Sequence, residues 1–304
     1  MLNTTNLTKR YGPFLALDHA NIRVEEGECC GVLGPNGAGK STLFRLVMGF
    51  LKPTSGAAFL GGHDCQRHKK KVHSIVSYLP GDVRLFGQMR GRQVLEFFAD
   101  IHPLGGREKA LATAARLELD TSRRVGYMST GMRQKLGLAI ALSTDAPVLI
   151  MDEPTTSLDP NVRGEVIRMI GEAHRGGKTV IICSHVLSEI EDICSRAIIM
   201  RTGKVVHDQQ LADLHRRHRV QFQTAQPLPP VPESLREMIV QRQQDAGTVM
   251  LEIDGDLRNV MAWLTQQPIS DLRVQRIGLR EVYDRFHAPE SATTSSSPVP
   301  EPAA

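Results

Sequence analysis

A glycine-rich segment at residues 34–41 constrains the fold of this chain more than any other feature. It reads Gly-Pro-Asn-Gly-Ala-Gly-Lys-Ser and fits the pattern G-x-x-x-x-G-K-[ST] at every fixed position. The apolar stretch before it, residues 29–33, has the composition of a buried strand, and residues 41–48 have the pattern of a helix. A strand, a glycine-rich turn and a helix in this order bring backbone N–H groups and a helix N-terminus to one point, which favours a bound phosphate group.

The side chains of this segment suit the terminal phosphates of a nucleotide and a magnesium ion. Lys40 brings a full positive charge to the phosphates, and the Ser41 hydroxyl is a candidate Mg²⁺ ligand. We therefore predict that the segment binds phosphate groups along its whole length. The candidate residues are Gly34, Pro35, Asn36, Gly37, Ala38, Gly39, Lys40, Ser41 and Thr42.

Two adjacent carboxylates follow a second apolar run, residues 148–151. Asp152 stands at the expected carboxyl end of a buried strand, which is where sites on open α/β sheets lie. Its carboxylate suits the Mg²⁺ shell, and the neighbouring Glu153 suits polarising a water molecule in line with a terminal phosphate. Together with the glycine-rich segment, the pair predicts a site for nucleotide hydrolysis.

Apolar runs suited to buried strands alternate with segments of helical period over the first 214 residues. We predict strands at residues 29–33, 74–79, 148–151, 179–183 and 197–200, and helices at 41–48, 93–99, 108–117, 131–142, from 159 onward and at 186–193. This alternation predicts an α/β fold built on a sheet core.

Composition narrows the class of protein further. The chain has 304 residues, of which 41% are hydrophobic and 23% charged, and this excludes a disordered or fibrous chain. The most apolar stretch, residues 136–151, is interrupted by polar residues and Pro147, so we expect no membrane-spanning helix. The five cysteines form no Cys-x-x-Cys pair and the first residues do not resemble a signal peptide, which indicates a reducing, cytoplasmic setting.

Four further motifs share the order that they have in one known family. They are Tyr11 in Thr-Lys-Arg-Tyr-Gly, the segment 129–134 (Ser-Thr-Gly-Met-Arg-Gln), the segment 157–159 (Ser-Leu-Asp), and His185 in Cys-Ser-His-Val-Leu-Ser-Glu. With the two motifs above, they make residues 1–214 resemble an ATP-binding cassette (ABC) ATPase. The resemblance implies a phosphate-loop domain with a mixed sheet core and a helical subdomain at about residues 85–140.

The resemblance also implies roles for these residues. Tyr11 would stack on adenine, and His185 would hydrogen-bond the γ-phosphate of ATP. Ser129 and Gly131 precede a predicted helix, whose N-terminus would cap the γ-phosphate of an ATP held by a partner subunit. Asp159, in the segment that resembles the D-loop, joins the nucleotide site. Glu153, His185 and Lys40 are the candidate catalytic residues.

Two half-sites of this kind imply a two-fold dimer of cassettes, either a homodimer or a heterodimer. The implied cofactors are ATP and Mg²⁺. The implied partner is a membrane permease encoded as a separate chain, which would dock on the helical subdomain. We accordingly expect a cytoplasmic protein that lies peripherally on the inner face of the cell membrane, without inserting into it.

The sequence departs from the family pattern in two places. The signature reads Met-Ser-Thr-Gly-Met where the family usually has Leu-Ser-Gly-Gly-Gln, although Ser129 and Gly131 are retained. The family also has a glutamine after a strand, which contacts the metal and relays to the permease, and here Gly81 or Asp82 stands in its place. Asp82 is the nearest polar candidate for that relay, and a turn-capping role is equally open.

A change in composition near residue 215 predicts a domain boundary with a proline-stiffened connection up to residue 230. Residues 215–287 then read as a small α/β accessory module with helices at 233–242, 257–266 and 279–286 and strands at 248–253 and 272–276. Residues 288–304 are rich in serine and proline and are predicted to be a disordered tail.

The signature, the Tyr-Leu-Pro-Gly segment at 78–81 and the short terminal module resemble the ATP-binding subunits of bacterial ABC exporters. Two alternatives stay open: a soluble ABC ATPase that acts on ribosomes or nucleic acid, and the ATPase subunit of an importer. Basic runs at residues 68–71 and 215–219 lack the interleaved aromatic residues that stack on bases, so we expect no direct contact with nucleic acid.

Overall fold

The computed structural model describes residues 1–226, 228–245 and 247–287, which form three β-sheets flanked by helices. The tail predicted at residues 288–304 lies outside the described residues. The strands are β1 (Leu2–Tyr11), β2 (Phe14–Ala20), β3 (Arg23–Val24), β4 (Cys29–Leu33), β5 (Ser55–Leu60), β6 (His63–Asp64), β7 (Val76–Leu79), β8 (Val148–Asp152), β9 (Thr179–Cys183), β10 (Arg196–Arg201), β11 (Lys204–Gln210), β12 (Arg217–Thr224), β13 (Ile239–Asp245), β14 (Thr248–Asp254) and β15 (Ile269–Arg276).

The helices lie between these strands in the alternation that the sequence predicts. They are α1 (Lys40–Val47), α2 (Lys69–Ile75), α3 (Gly91–Ile101), α4 (Arg107–Arg116), α5 (Thr130–Leu142), α6 (Pro160–Arg175), α7 (Leu187–Ile193), α8 (Leu211–His215), α9 (Glu233–Arg236), α10 (Arg258–Leu264) and α11 (Leu279–His287). Among the described residues, no helix combines the length and the apolar character that crossing a membrane requires.

The central sheet has the strand order β11-β10-β4-β9-β8-β7. Its pairings from β10 to β7 are parallel, and every residue of β4, β8 and β9 is buried. Strands covered on both faces read as continuous apolar runs, which is why the sequence predicts them well. Because β4, β9 and β8 are neighbours, the glycine-rich segment, His185 and the Asp152–Glu153 pair follow strands that end at the same edge.

A second sheet is made by the N-terminal residues, and the sequence did not predict it. Strands β2, β1, β5 and β6 pair in that order and β3 also pairs with β1, all antiparallel. Leu7, Leu17 and Leu60 from these strands pack in one core with Phe44 of α1 and Ile150 of β8. These strands expose every second or third residue, so their apolar runs are short and give a weak signal.

The helical subdomain predicted at about residues 85–140 corresponds to α3, α4 and α5, which pack against one another. Val94, Ala114 and Leu136, one from each helix, are buried in a single core that continues into β4 and β9 of the central sheet. Residues 1–214 are therefore mixed α/β, as the sequence predicts.

The predicted strand at residues 74–79 is too long by two residues. Residues 74 and 75 end helix α2, and the strand begins at Val76. Helix α2 buries Val72 and exposes its lysines, and its His73 ring nitrogen lies 2.8 Å from the carbonyl oxygen of Met48. This tertiary contact fixes a short basic helix that local sequence alone does not indicate.

The C-terminal sheet corrects two further predictions. The order is β13-β14-β12-β15, all antiparallel. Residues 217–224, predicted as part of a linker, form β12 in the interior of this sheet, with Val220 and Phe222 buried and Gln221 and Gln223 exposed. The helix predicted at 233–242 ends at Arg236, and β13 follows.

The second correction has a clear physical cause. Ile239 and Val240 are β-branched and favour an extended backbone. Pairing along β14 then satisfies the backbone groups of β13, so that the ladder outweighs the local helical pattern. The sheet has its own core, made with α9 and α10, which contains Phe222, Leu251 and Trp263.

Candidate nucleotide site

The glycine-rich loop follows β4 directly and leads into α1 without a side-chain cap. Gly34 and Gly39 have φ angles of +156° and +100°, and a Cβ at Gly39 would lie 2.6 Å from the carbonyl oxygen of Ala16. Only glycine fits such a position without displacing backbone. Lys40 is 7% exposed, and its Nζ donates to the carbonyl oxygens of Gly34 at 2.6 Å and Pro35 at 3.1 Å. Carbonyl oxygens of the loop therefore hold the Lys40 ammonium group in place.

The acidic pair lies where the sequence predicts, at the end of β8. Asp152 is the last residue of the strand and is 3% exposed, whereas Glu153 has a φ of +53°. A left-handed backbone at a non-glycine residue is strained and is often found at functional sites. In this conformation Oε2 of Glu153 lies 2.5 Å from Nδ1 of His185, which follows the neighbouring strand β9. The His185 side chain is 64% exposed.

One cavity of about 220 Å³ unites the loop with both carboxylates. It is lined by residues 36–42 of the loop together with Asp152, Glu153, Ala16 and Phe14. The carboxylate of Asp152 and the hydroxyl of Ser41 are oxygen donors of the kind that Mg²⁺ prefers. The residues present therefore fit a magnesium ion beside the phosphate loop.

The aromatic wall of this cavity is a residue that sequence analysis missed. Phe14, 62% exposed, lines the cavity. Tyr11, predicted to stack on adenine, is the cross-strand partner of Phe14 at the β1–β2 turn, and the ammonium of Lys9 lies 5.1 Å from its ring centroid. Phe14 stands three residues after the predicted adenine-stacking Tyr11, and this was a usable signal for a second ring at this position.

The signature segment begins α5, with Ser129 as the N-cap residue. The Ser129 hydroxyl accepts a hydrogen bond from the N–H of Met132 at 3.2 Å. A Cβ at Gly131 would lie 2.7 Å from the carbonyl oxygen of Ser157. Gln134 of the same helix donates from Nε2 to the carbonyl oxygens of Glu153 and Pro154, at 3.2 and 2.9 Å. Helix α5 thus contacts the backbone of Glu153 and of the residue that follows it.

Asp159 acts in this structure as the N-cap of α6. Its carboxylate accepts from the N–H of Val162 at 3.0 Å, a hydrogen bond that lowers the pKa of Asp159. Of the described residues that line the cavities beside the loop, none is Ser129, Gly131 or Asp159.

The structure separates the two candidates for the family's missing glutamine. Gly81 faces Asp152, since a Cβ at Gly81 would lie 3.3 Å from Cγ and Oδ2 of that carboxylate. Asp82 is exposed, and its carboxylate accepts from Nε of Arg84 at 2.7 Å. The backbone of Gly81, not the side chain of Asp82, therefore adjoins the candidate metal ligand.

A buried carboxylate on α7 was also missed by sequence analysis. Glu189 is 4% exposed, and its Oε2 accepts from the hydroxyls of Thr155 at 2.9 Å and Ser184 at 2.8 Å. These hydroxyls belong to the segments that carry Glu153 and His185. Glu189 therefore ties the ends of β8 and β9 together. It is the last residue of the segment quoted for His185, but sequence analysis assigned it no role.

Comparisons with known proteins agree with this geometry. The family model described as ABC transporter matches residues 17–156. The daunorubicin resistance ATP-binding protein DrrA3 of Streptomyces coeruleorubidus is 39% identical over 65% of this chain and 64% of its own length, so the chain spans just under two thirds of that relative. The bacitracin transport ATP-binding protein BcrA of Bacillus licheniformis is 35% identical, with 72% of each chain covered.

The solved structures include similar folds. The dimeric structure of a post-hydrolysis state of the ATP-binding cassette MJ0796, bound to ADP and Pi, covers 69% of this chain and 99% of its own, at 23% identity and a TM-score of 0.64. The residues that the family model matches include the phosphate loop and the acidic pair, and these two motifs line one cavity. This chain belongs to the ABC transporter family.

Proposed function

We propose that this protein binds and hydrolyses ATP with Mg²⁺ and thereby drives a membrane permease encoded as a separate chain. The observation that carries the proposal is the convergence of Lys40, Asp152, Glu153 and His185 at one edge of the central sheet. A buried cation, a buried metal-binding carboxylate and a base held by a histidine are the groups that phosphoryl transfer to water needs.

Each group has a distinct task in this mechanism. Lys40 neutralises the terminal phosphates, and Ser41 and Asp152 hold Mg²⁺. Glu153 accepts a proton from the attacking water, which needs a carboxylate within hydrogen-bond reach of that water. His185, whose Nδ1 contacts Glu153, leaves its other ring nitrogen for the γ-phosphate.

The separate position of the signature segment supports a dimer. Ser129 and Gly131 stand at the start of a helix of thirteen residues, whose N-terminus attracts anions, but they do not line the cavity at the loop of their own chain. In a two-fold dimer they would meet the nucleotide of the partner subunit, and Asp159 would lie near the same interface. The MJ0796 cassette, which has a similar fold, is dimeric in its post-hydrolysis state, in line with this arrangement.

The best-supported role for this protein is that of the ATP-binding subunit of an exporter. The names of DrrA3 and BcrA connect those relatives with drug resistance and bacitracin transport. We infer a cytoplasmic position, peripheral on the inner face of the membrane, with the permease docked on the helical subdomain. We also infer two units, residues 1–214 and 215–287, the second being an accessory module.

The basic run at residues 215–219 gives no support to a role in nucleic-acid binding. Arg216 and Arg217 lie 3.8 and 3.7 Å from the carboxylate of Asp254, and Arg219 lies 3.2 Å from Glu252. Each of these three arginines therefore contacts a carboxylate within the C-terminal sheet.

Substitution of Lys40 tests the proposed function. Lys40→Ala removes the main positive charge for the phosphates, so we expect ATP affinity to fall by at least about tenfold, the equivalent of about 1.4 kcal/mol. Lys52→Ala is a matched control, because that lysine lies outside the loop. Fluorescent-nucleotide titration with Mg²⁺ measures both, and unchanged affinity in Lys40→Ala would contradict the assignment.

A further inference from the structure

A second cavity, of about 450 Å³, lies on the side of the acidic pair that faces His185. Its walls include the start of the glycine-rich loop, Gly81, Glu153, His185 and, from the far end of the chain, Tyr283. Tyr283 belongs to α11, the last helix of the C-terminal module. A residue 130 positions beyond Glu153 thus shares a cavity with the proposed base.

Helix α11 is held against the cassette by several contacts. Leu279 and Val282 are buried in the same core as Leu33 of β4 and Ile182 of β9. The carboxylate of Glu191, on α7, accepts from the N–H of Leu279. Helix α11 therefore packs next to the helix that follows His185, as part of the cassette core.

Contacts at the other end of α11 fix its rotation. The carbonyl oxygen of Phe286 accepts from Arg201 at the end of β10, at 2.9 Å, and the Phe286 ring stacks on His207 with 4.7 Å between the ring centroids. With both ends attached, the helix has little freedom to turn Tyr283 away from the cavity.

The same helix is also bonded to the C-terminal sheet. Arg285 donates to both carboxylate oxygens of Glu252 on β14, at 2.7 and 2.8 Å. Helix α11 therefore joins two bodies, since its buried face packs on the cassette and its Arg285 holds the sheet of the accessory module.

The chemistry of Tyr283 suits a cavity next to phosphate. Its side chain is half-buried, and burial, with the nearby Asp284 carboxylate, raises the pKa of its phenol. The phenol therefore stays neutral at physiological pH and adds no negative charge beside the γ-phosphate. A flat, rigid ring loses little conformational entropy when it is used as a wall.

We propose that Tyr283 is a positioning residue for hydrolysis, whose ring forms one wall of the cavity and confines the attacking water beside the Glu153 carboxylate. The accessory module thereby completes the hydrolysis site of its own cassette. This inference rests on the proposed role of Glu153. It assigns to α11 a task that no motif of the cassette supplies.

The test compares Tyr283→Ala, which opens the wall, with Tyr283→Phe, which keeps the ring. We expect Tyr283→Ala to lower kcat by roughly tenfold, the equivalent of about 1.4 kcal/mol, with the KM for ATP unchanged within about twofold. Tyr283→Phe should stay within about twofold of the parent. Arg280→Ala, on the exposed side of the same helix, is the matched control and should behave like the parent.

Three results would overturn the proposal: a parent-like kcat in Tyr283→Ala, a kcat above that of the parent, or an equal loss in Tyr283→Phe. If Tyr283→Ala does not fold, Tyr283→Leu, which keeps apolar volume but not a flat ring, is measured in its place with the same expectation. The variant Glu153→Gln distinguishes a failure of the proposed function from a failure of the Tyr283 proposal. If that variant hydrolyses ATP normally, the proposed function fails; if it is inactive while Tyr283→Ala is normal, only the wall is wrong.

Discussion

At the scale of single residues, the segment 78–82 shows how a missing side chain changes the site. Gly81 brings its backbone close to Asp152, so that no side chain of its own reaches the candidate metal position. Any relay to a permease at this point must therefore pass through backbone or through neighbouring side chains. The charge on Asp82 is directed to Arg84 and to solvent.

Substitutions at the two positions should differ accordingly. The Cβ of Gly81→Ala would crowd the Asp152 carboxylate at 3.3 Å, so we expect Mg²⁺-dependent ATP hydrolysis to slow by roughly tenfold or somewhat less, about 1 kcal/mol of transition-state stabilisation. Asp82→Ala removes an exposed ion pair, which contributes about 0–1 kcal/mol to stability, and should leave the rate within about twofold. A steady-state ATPase assay measures both, and a slower Asp82→Ala than Gly81→Ala would reverse the assignment.

The residues that sequence analysis could identify are those whose chemistry is encoded locally. Residues 34–42, Asp152, Glu153 and His185 each follow a buried strand in a recognisable pattern, and they meet in space. The roles of Phe14 and Glu189 were not identified in this way, because those roles depend on which segments pack beside the two residues. Tyr283 is the extreme case, since its neighbours at the site are far away in sequence.

At the scale of elements, α7 controls how the ends of β8 and β9 meet. Glu189 accepts hydrogen bonds from both segments at once, and its other oxygen lies 3.8 Å from Nε of Arg163. A buried carboxylate with two hydroxyl donors is stabilising only while all its partners are present. The helix thereby couples the Glu153 turn to the His185 turn.

Replacement of Glu189 should uncouple the two turns. Glu189→Leu leaves two buried hydroxyls without their acceptor, which we expect to lower the free energy of unfolding by about 2–6 kcal/mol, at about 1–3 kcal/mol for each unsatisfied group. Asp192→Leu, on the exposed side of α7, is the matched control and should stay within about 0.5 kcal/mol of the parent. Urea denaturation measures the free energy of unfolding of both variants. Equal values for Glu189→Leu and Asp192→Leu would show that Glu189 has no linking role.

Helix α11 and strand β14 form a second coupled pair, and it responds to pH. Burial opposes ionisation of Glu252, but hydrogen bonds from Arg285 and Arg219 outweigh burial, so the pKa of Glu252 lies below its usual value. A carboxylate whose pKa is lower in the folded state stabilises the fold above its unfolded pKa, about 4.3 for glutamate. That contribution is lost as the pH falls through the lower, folded pKa.

The loss should be visible as a difference between the parent and Glu252→Gln. We expect the parent to lose more stability than the variant when the pH is lowered from about 5, through the unfolded glutamate pKa of about 4.3, to below the lower pKa of Glu252 in the folded state. Trp263 is the one tryptophan in the sequence and lies in the core of the C-terminal sheet, so its fluorescence during urea denaturation reports on this unit. Parallel stability curves for the two proteins would contradict this coupling.

The elements themselves were predictable in proportion to their burial. Continuous apolar strands such as β8 and β9 and the helix that Asp159 caps follow from local pattern. The antiparallel strands β12 and β13 do not, because glutamines and arginines occupy their exposed positions and only cross-strand pairing selects the extended backbone. The parallel strands of the central sheet, most of its helices, and α10, α11, β14 and β15 of the terminal module were therefore predicted from the sequence, whereas the antiparallel strands β1, β2, β5, β12 and β13 and the helix α2 were not.

At the scale of the whole molecule, the site is complete on one side and open on the other. The phosphate loop, the acidic pair, His185 and Tyr283 line two adjoining cavities. Ser129 and Gly131, at the N-terminus of α5, line neither of them. A second copy would supply the part that each cassette lacks. We therefore expect nucleotide binding and dimer formation to be linked, and hydrolysis by Glu153 to release the dimer.

The rate of ATP hydrolysis by Glu153→Gln tests this central claim most directly. Glutamine keeps the size of the side chain but cannot accept the proton of the attacking water. We therefore expect a fall in kcat of at least about 100-fold, the contribution typical of a general base, with ATP still bound and the protein held as an ATP-bound dimer. Hydrolysis by Glu153→Gln at the rate of the parent would contradict the account.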